Sequence, residues 1–250
     1  MTAQIQSSLR PPTQSTNIIG LASARLFCGT QASIFSILRA SNLSTALAGG
    51  RTDRGKDMIL DQKGLNQAID AYETTTRKAV DAARKLVVPL PTCIRFSTGA
   101  LNASTIEELS AKAPKLAQGE GKQKKRGFLY IYQLQDECEV EPLLVTAALL
   151  EAKTNDVIVG KLPAVNLMHS GRVLYVGRSW NVQSRTREHL KADCSKKTYA
   201  LRFAAWAEEF DLSVELLIWE FPGITDLTLQ VVEDGLWDRL RPLFGRRGAK

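Results

Sequence analysis

The chain has 250 residues, enough for one large or two modest domains each with a core of its own, and 33 Lys and Arg against 26 Asp and Glu give a net charge of +7 that favours an anionic polymer as partner. No apolar run reaches the roughly 18 residues that span a bilayer, so no membrane partner is expected. With only His169 and His189, and with Cys28, Cys93, Cys138 and Cys194 lacking CxxC spacing, a zinc centre is excluded, and reduced thiols in an intracellular protein are expected.

From Met1 to Thr52 there is no Asp, Glu or Lys, but there are four arginines and many Ser and Thr residues. That composition fits an organellar transit peptide. Against it, Ile34, Ile37 and Leu38 read as a short buried helix, and no processing site is evident. A bacterial cytoplasmic location is therefore the first reading and an organelle the alternative. Between Leu65 and Val87, the residues Leu65, Ile69, Tyr72, Ala79, Ala83 and Leu86 recur at helical spacing, and VVPLP ends the run. A second helix is predicted from Thr105 to Ala113, capped by Ser104 or Thr105. The region 1–118 thus reads as mostly helical, with DNA recognition, dimerisation and bracing of the rest all open as roles.

The stretch 119–126 is rich in Gly and Lys and reads as a linker. It carries Lys122, Lys124, Lys125 and Arg126 directly into GFLYIYQL, a predicted strand with Phe128, Tyr130 and Tyr132 on one face and Leu129 and Ile131 on the other. About forty residues separate this run from the next tyrosine-bearing strand, where neighbouring antiparallel strands need only a short turn. An insertion at about 136–170 is expected, with a helix opened by Pro142 and DVIVG as an extra strand. It either extends the core or reaches toward a partner.

RVLYVG is the second strand, ending in Gly177 and the turn-prone Ser179 and Asn181. Asn181 is a plausible cap for a helix from Val182 to Leu190, in which Arg185 and His189 stand at i, i+4 on one face. Both can meet one phosphate. Tyr199, Phe203, Trp206 and Phe210 read as one core-facing stripe of a helix, and SVELLIWEF as a third strand. Asp226 opens a last helix whose Leu229, Val232, Leu236 and Leu240 form an apolar stripe until Pro242; Glu233 borders that stripe.

Hydrolysis of a phosphodiester needs a deprotonated water, positive charge on the phosphate and a cation held by a carboxylate. Taken singly, each tyrosine is most often a core residue, the Arg and His a solvated helix face, and the glutamate merely exposed. Order and spacing together lift the set. Two basic clusters flank it, the one before Gly127 and the one formed by Arg239, Arg241, Arg246, Arg247 and Lys250.

In this order and spacing, Tyr130 in Phe128-Leu129-Tyr130, Tyr175-Val176-Gly177, Arg185, His189 and Glu233 resemble the GIY-YIG nuclease family over about residues 127–250. Arg178 falls where a basic residue often follows the second tyrosine. Two positions depart from the pattern. The first glycine lies one place early, at Gly127, with Phe128 where the family has glycine, and Gly245 stands where many members carry an asparagine. Arg246 or a backbone amide is the candidate substitute for that asparagine.

The resemblance implies a metal-dependent DNA endonuclease, restriction-type or structure-selective, using one Mg2+ or Mn2+ held by Glu233, waters and the phosphate. It implies that Tyr130 helps deprotonate the attacking water, Arg185 stabilises phosphate charge, Tyr175 positions the phosphate, and His189 bonds within the cluster and relays a proton. An unperturbed phenol is ionised to only roughly one part in a thousand at neutral pH, so cations must lower the Tyr130 pKa. DNA contacts are expected from Lys122, Lys124, Lys125, Arg126, Arg178, Arg246 and Arg247, and a homodimer is left open. The implied fold is α+β: a small antiparallel three-stranded sheet flanked by helices, behind a mostly helical N-terminal region. The alternative on the same scaffold is a catalytically inactive nucleic-acid-binding protein.

Overall fold

The computed structural model describes residues 61–116, 126–154, 161–169, 171–193 and 198–248, all within one compact unit, Leu60–Lys250. The expected helix at Ile34 to Leu38, the basic residues Lys122, Lys124, Lys125 and Lys250, and the DVIVG strand lie outside the described residues. Chain order is α1 (Gln62–Arg84), β1 (Thr92–Ser97), α2 (Ala103–Lys112), β2 (Arg126–Leu134), α3 (Pro142–Thr154), β3 (Val173–Ser179), α4 (Val182–Leu190), β4 (Ser213–Pro222) and α5 (Asp226–Leu240). No described helix is long and apolar enough to cross a membrane.

The fold is α+β, with a four-stranded antiparallel sheet in the order β1-β4-β2-β3, one strand more than the three expected. The added strand is TCIRFS, in which Ile94 and Phe96 alternate inward. It pairs with β4, Ile94 opposite Leu216 and Phe96 opposite Val214. The sheet therefore draws on residues from both sides of the predicted linker, and the region before it is not helical alone.

Two apolar layers sandwich the sheet. On one face Phe128, Tyr130 and Tyr132 join Leu174, Val182, Leu190, Phe203, Trp206 and Phe244 in the larger core. On the other, Leu129 packs with Phe221, Ile224 and Leu229, and with Val232 and Leu236 along α5. Gly127 faces this second layer, where a Cβ would run into Ile224 and come within 2.8 Å of Leu229. A side chain at this position would therefore collide with the second layer. The apolar stripe of α1 is covered only toward its C-terminal end: Ala79 is buried and Leu86 joins the second layer, whereas Leu65, Ile69 and Tyr72 are exposed.

The insertion extends the core. Val145 and Leu149 of α3 are fully buried in the larger cluster, and Val165 bridges to Phe244. The predicted aromatic helix is replaced by two 3₁₀ turns, Phe203–Ala205 and Glu208–Phe210. Arg202 (φ 54°) and Asp211 (φ 43°) are left-handed and interrupt any α-helix there. Phe203 and Trp206 still pack inward, as core residues rather than base platforms, while Tyr199 lies at the surface with Lys161 5.4 Å from its ring centre.

Candidate functional site

Strand pairing brings the two motif tyrosines together. Tyr130 lies opposite Gly177, and Tyr132 opposite Tyr175. A Cβ at Gly177 would stand 2.5 Å from the Tyr130 hydroxyl and 2.7 Å from the Tyr175 ring, so only glycine leaves room for the two phenols to stack, with ring centres 6.2 Å apart. Helix α4 is anchored by Asn181, whose carboxamide accepts from the Ser184 amide at 3.1 Å, and it turns Arg185 and His189 onto this tyrosine pair.

The Tyr130 hydroxyl is the hub. It accepts from Arg185 Nε at 3.1 Å and lies 3.2 Å from His189 Nε2. The Leu201 amide donates to His189 Nδ1 at 3.0 Å, which places the imidazole proton on Nε2 and makes His189 a donor to Tyr130. Burial, then the positive fields of Arg185 and Arg202, hold the His189 pKa well below the usual histidine value. His189 is neutral and has one nitrogen committed to a backbone N–H, so it orients Tyr130 and is poorly placed to relay a proton.

Arg185 is held on all sides. Besides Tyr130, it donates from Nη1 to Glu188 at 2.7 Å and from Nη2 to the Tyr199 carbonyl. Arg185 also interacts with the Tyr175 hydroxyl, so its N–H donors are largely engaged within the protein. Burial raises the pKa of Tyr130, with the Arg185 charge opposing the rise, and Tyr175 is raised for the same reasons. Each phenol therefore keeps its proton at neutral pH in the protein alone. In the protein alone the expected lowering of Tyr130 does not occur, because desolvation outweighs the Arg185 charge.

Glu233 reaches the same neighbourhood from α5. Its carboxylate is near enough to oppose ionisation of both Tyr130 and Tyr175. Burial lifts its own pKa to about 7, against the lowering effect of Arg178. Arg178 donates from Nε to Glu233 Oε2 at 2.9 Å, and also to Asp226. Among the described residues no group of three or more His, Cys, Asp or Glu side chains is placed to cage a metal ion. An Mg2+ site does not require such a cage, because one carboxylate plus waters and substrate oxygens suffices. The Arg178 guanidinium occupies one oxygen of this carboxylate and supplies its counter-charge.

Tyr130, Tyr175, Arg185 and His189 thus form one cluster, with Glu233 in electrostatic contact. The expected DNA-contact residues are more dispersed. Arg126 is 3.3 Å from Glu220, Arg247 is 3.1 Å from Asp238, and Arg246 is close enough to lower the Lys153 pKa, behind desolvation as the larger cause. Exposed pairs of this kind contribute about 0–1 kcal/mol and release easily to a phosphate. Gly245 lies against the Tyr175 ring, where a Cβ would be 3.1 Å from Cε2. Its amide donates to the Ala164 carbonyl at 2.8 Å and is thus committed within the protein. A surface groove along α1, lined by Tyr72, Glu73, Thr76, Arg77, Val80, Asp81 and Arg84, holds none of these residues.

Sequence reasoning missed Tyr199, Leu201 and Arg202 as supports of the site. Tyr199 and Leu201 act through backbone groups that every residue possesses, and Arg202 through its charge on His189. No family model, curated protein or solved structure matches the chain.

Proposed function

We propose that the protein is a metal-dependent endonuclease of the GIY-YIG type, hydrolysing phosphodiester bonds in DNA. The observation that carries this reading is the Tyr130 hydroxyl, which receives Arg185 Nε and His189 Nε2 in a buried cluster stacked on Tyr175 and within the field of Glu233. A phenol serving only as a core residue needs one partner. Two donors converging on its oxygen favour the phenolate once further positive charge arrives.

In the proposed mechanism Glu233 holds one Mg2+ or Mn2+, which when bound supplies positive charge to the phosphate and its leaving oxygen. Tyr130, pinned by His189 and Arg185, would give up its phenolic proton to solvent once the cation's charge is added, and as phenolate would take a proton from the attacking water. The water oxygen forms the new bond to phosphorus as the opposite P–O bond breaks, and the departing oxygen takes a proton from solvent. Arg185 sets its positive charge against the non-bridging oxygens, and Tyr175, packed against Gly245, sets the position of the phosphate. Losing one such charge-stabilising donor typically costs about a hundredfold or more in rate.

Plasmid nicking and linearisation with Mg2+ or Mn2+, comparing wild type with Glu233→Gln and Arg185→Ala, tests the reading. Cleavage by wild type and its loss in both variants is the expected result, and cleavage untouched by either substitution sinks the site assignment. Gly245 beside Tyr175, with no side chain and a committed amide, favours a second reading as a nucleic-acid-binding protein without catalysis. Wild-type protein that binds plasmid but never cleaves it would establish that alternative.

A further inference from the structure

Arg178 is held by three oxygen-bearing side chains of α5. Nε donates to Glu233 at 2.9 Å, Nη1 donates to Asp226, and Nη2 lies 3.5 Å from Gln230 Oε1. Positions 226, 230 and 233 stand at i, i+4 and i+7, so the three acceptors line one stripe of the helix. The side chains of Arg178 and Glu233 are each only 14 % exposed. Arg178 leaves β3 opposite Leu129, on the α5 side of the sheet, three residues after Tyr175.

We propose that Arg178 is a cation-displaced clamp: it occupies Glu233 before a divalent metal binds, then gives up that carboxylate and turns its freed N–H groups to the DNA phosphate. The inference rests on the reading of Glu233 as the metal ligand. A largely buried carboxylate with no counter-charge is costly, and the guanidinium supplies that charge. Its planar fork spans two carboxylates at once, which an ammonium does not do equally well. A metal and a guanidinium on the same carboxylate repel each other at short range, so arrival of one weakens the other. Asp226, half exposed, remains as a tether that keeps Arg178 near the second tyrosine of the site.

The test is Mn2+ binding to the full chain without DNA, followed through the electron paramagnetic resonance signal of free Mn2+. Arg178→Gln is expected to tighten binding roughly tenfold, the worth of one charge-assisted hydrogen bond removed from the competing state. Arg178→Lys should fall between, because it keeps the charge and loses the fork; it also serves if the glutamine variant folds poorly. Glu233→Gln should abolish binding. A second arm measures duplex DNA affinity with and without Ca2+, and Arg178→Gln should weaken it only when Ca2+ is present. Equal or weaker Mn2+ binding in Arg178→Gln, with Glu233 still required, overturns the clamp and leaves the nuclease reading standing. Mn2+ binding undiminished in Glu233→Gln overturns the metal site itself. A loss of DNA affinity that ignores Ca2+ overturns the transfer to phosphate.

Discussion

The two sides of β3 each carry an arginine that is largely covered, yet the two are kept for different purposes. On the tyrosine side Arg185 is fixed by a phenol, a carboxylate and a carbonyl, and each contact helps orient Tyr130. On the α5 side Arg178 is fixed by the acidic and amide groups of a single helix, and its contacts neutralise the carboxylate assigned to the metal. Under the proposed function, the first arrangement is assembled in advance and the second is exchanged when a cation binds. Preorganised charge is what accelerates a reaction, whereas a ligand that must accept a cation needs a partner it can lose.

The largest effect should come from breaking the first side. Tyr130→Phe leaves Arg185 Nε and the His189 N–H without their acceptor, at about 1–3 kcal/mol each, and removes the proposed base. Cleavage should fall by about a hundredfold or more, with a lowered thermal midpoint as the independent sign of the orphaned donors. A variant that loses no activity would show that the phenol is only structural.

His189→Ala comes next. It removes a fully buried ring and leaves the Leu201 amide without its acceptor. A loss of about 2–5 kcal/mol is expected in urea unfolding, and a change below half a kcal/mol would contradict the described packing. Gly177→Ala should cost about 1–3 kcal/mol by overpacking the tyrosine pair, and should lower cleavage along with stability.

The two sides should also answer pH in opposite directions. His189 is depressed below its unfolded value near 6.5, so the stability it contributes is present above that pH and is lost as pH falls. Glu233 is raised from 4.5 to about 7, so its contribution is present at or below 4.5 and is lost as pH rises toward 7. Metal binding needs the carboxylate, so Mn2+ affinity should rise across neutrality and release protons as it does. Flat Mn2+ binding between pH 6 and 8 would disconnect Glu233 from the metal. The smallest effect is expected for Gly245→Asn, where φ of +104° disfavours a side chain. About 1 kcal/mol should be lost, and no gain in cleavage should follow, because the carboxamide would press on Tyr175.

Legibility in the sequence followed the range of the forces involved. Asn181 and the i, i+4 pair of Arg185 and His189 are local signals, and α4 formed as expected from them. The alternating faces of β2 and the apolar border of Glu233 were equally plain. TCIRFS carries a short inward alternation, but its partner β4 lies about 120 residues away, and nothing local announces that pairing. The spacing of Tyr199, Phe203, Trp206 and Phe210 resembled a helix. The left-handed Arg202 interrupts it, and the Tyr199 carbonyl and Leu201 amide just before it bond Arg185 and His189. The pairing of Arg178 with Glu233 joins two elements 55 positions apart, and no local pattern announces it.

The most direct test is a crystal of the Tyr130→Phe protein with a DNA duplex and Mn2+, phased to reveal the anomalous signal of the metal. A single Mn2+ peak about 2.1 Å from a Glu233 carboxylate oxygen, with a DNA phosphate between it and Arg185, is the expected result. A peak remote from Glu233, or DNA bound with its backbone away from Arg185 and Tyr175, would contradict the proposal that these residues make one phosphodiester-cleaving site.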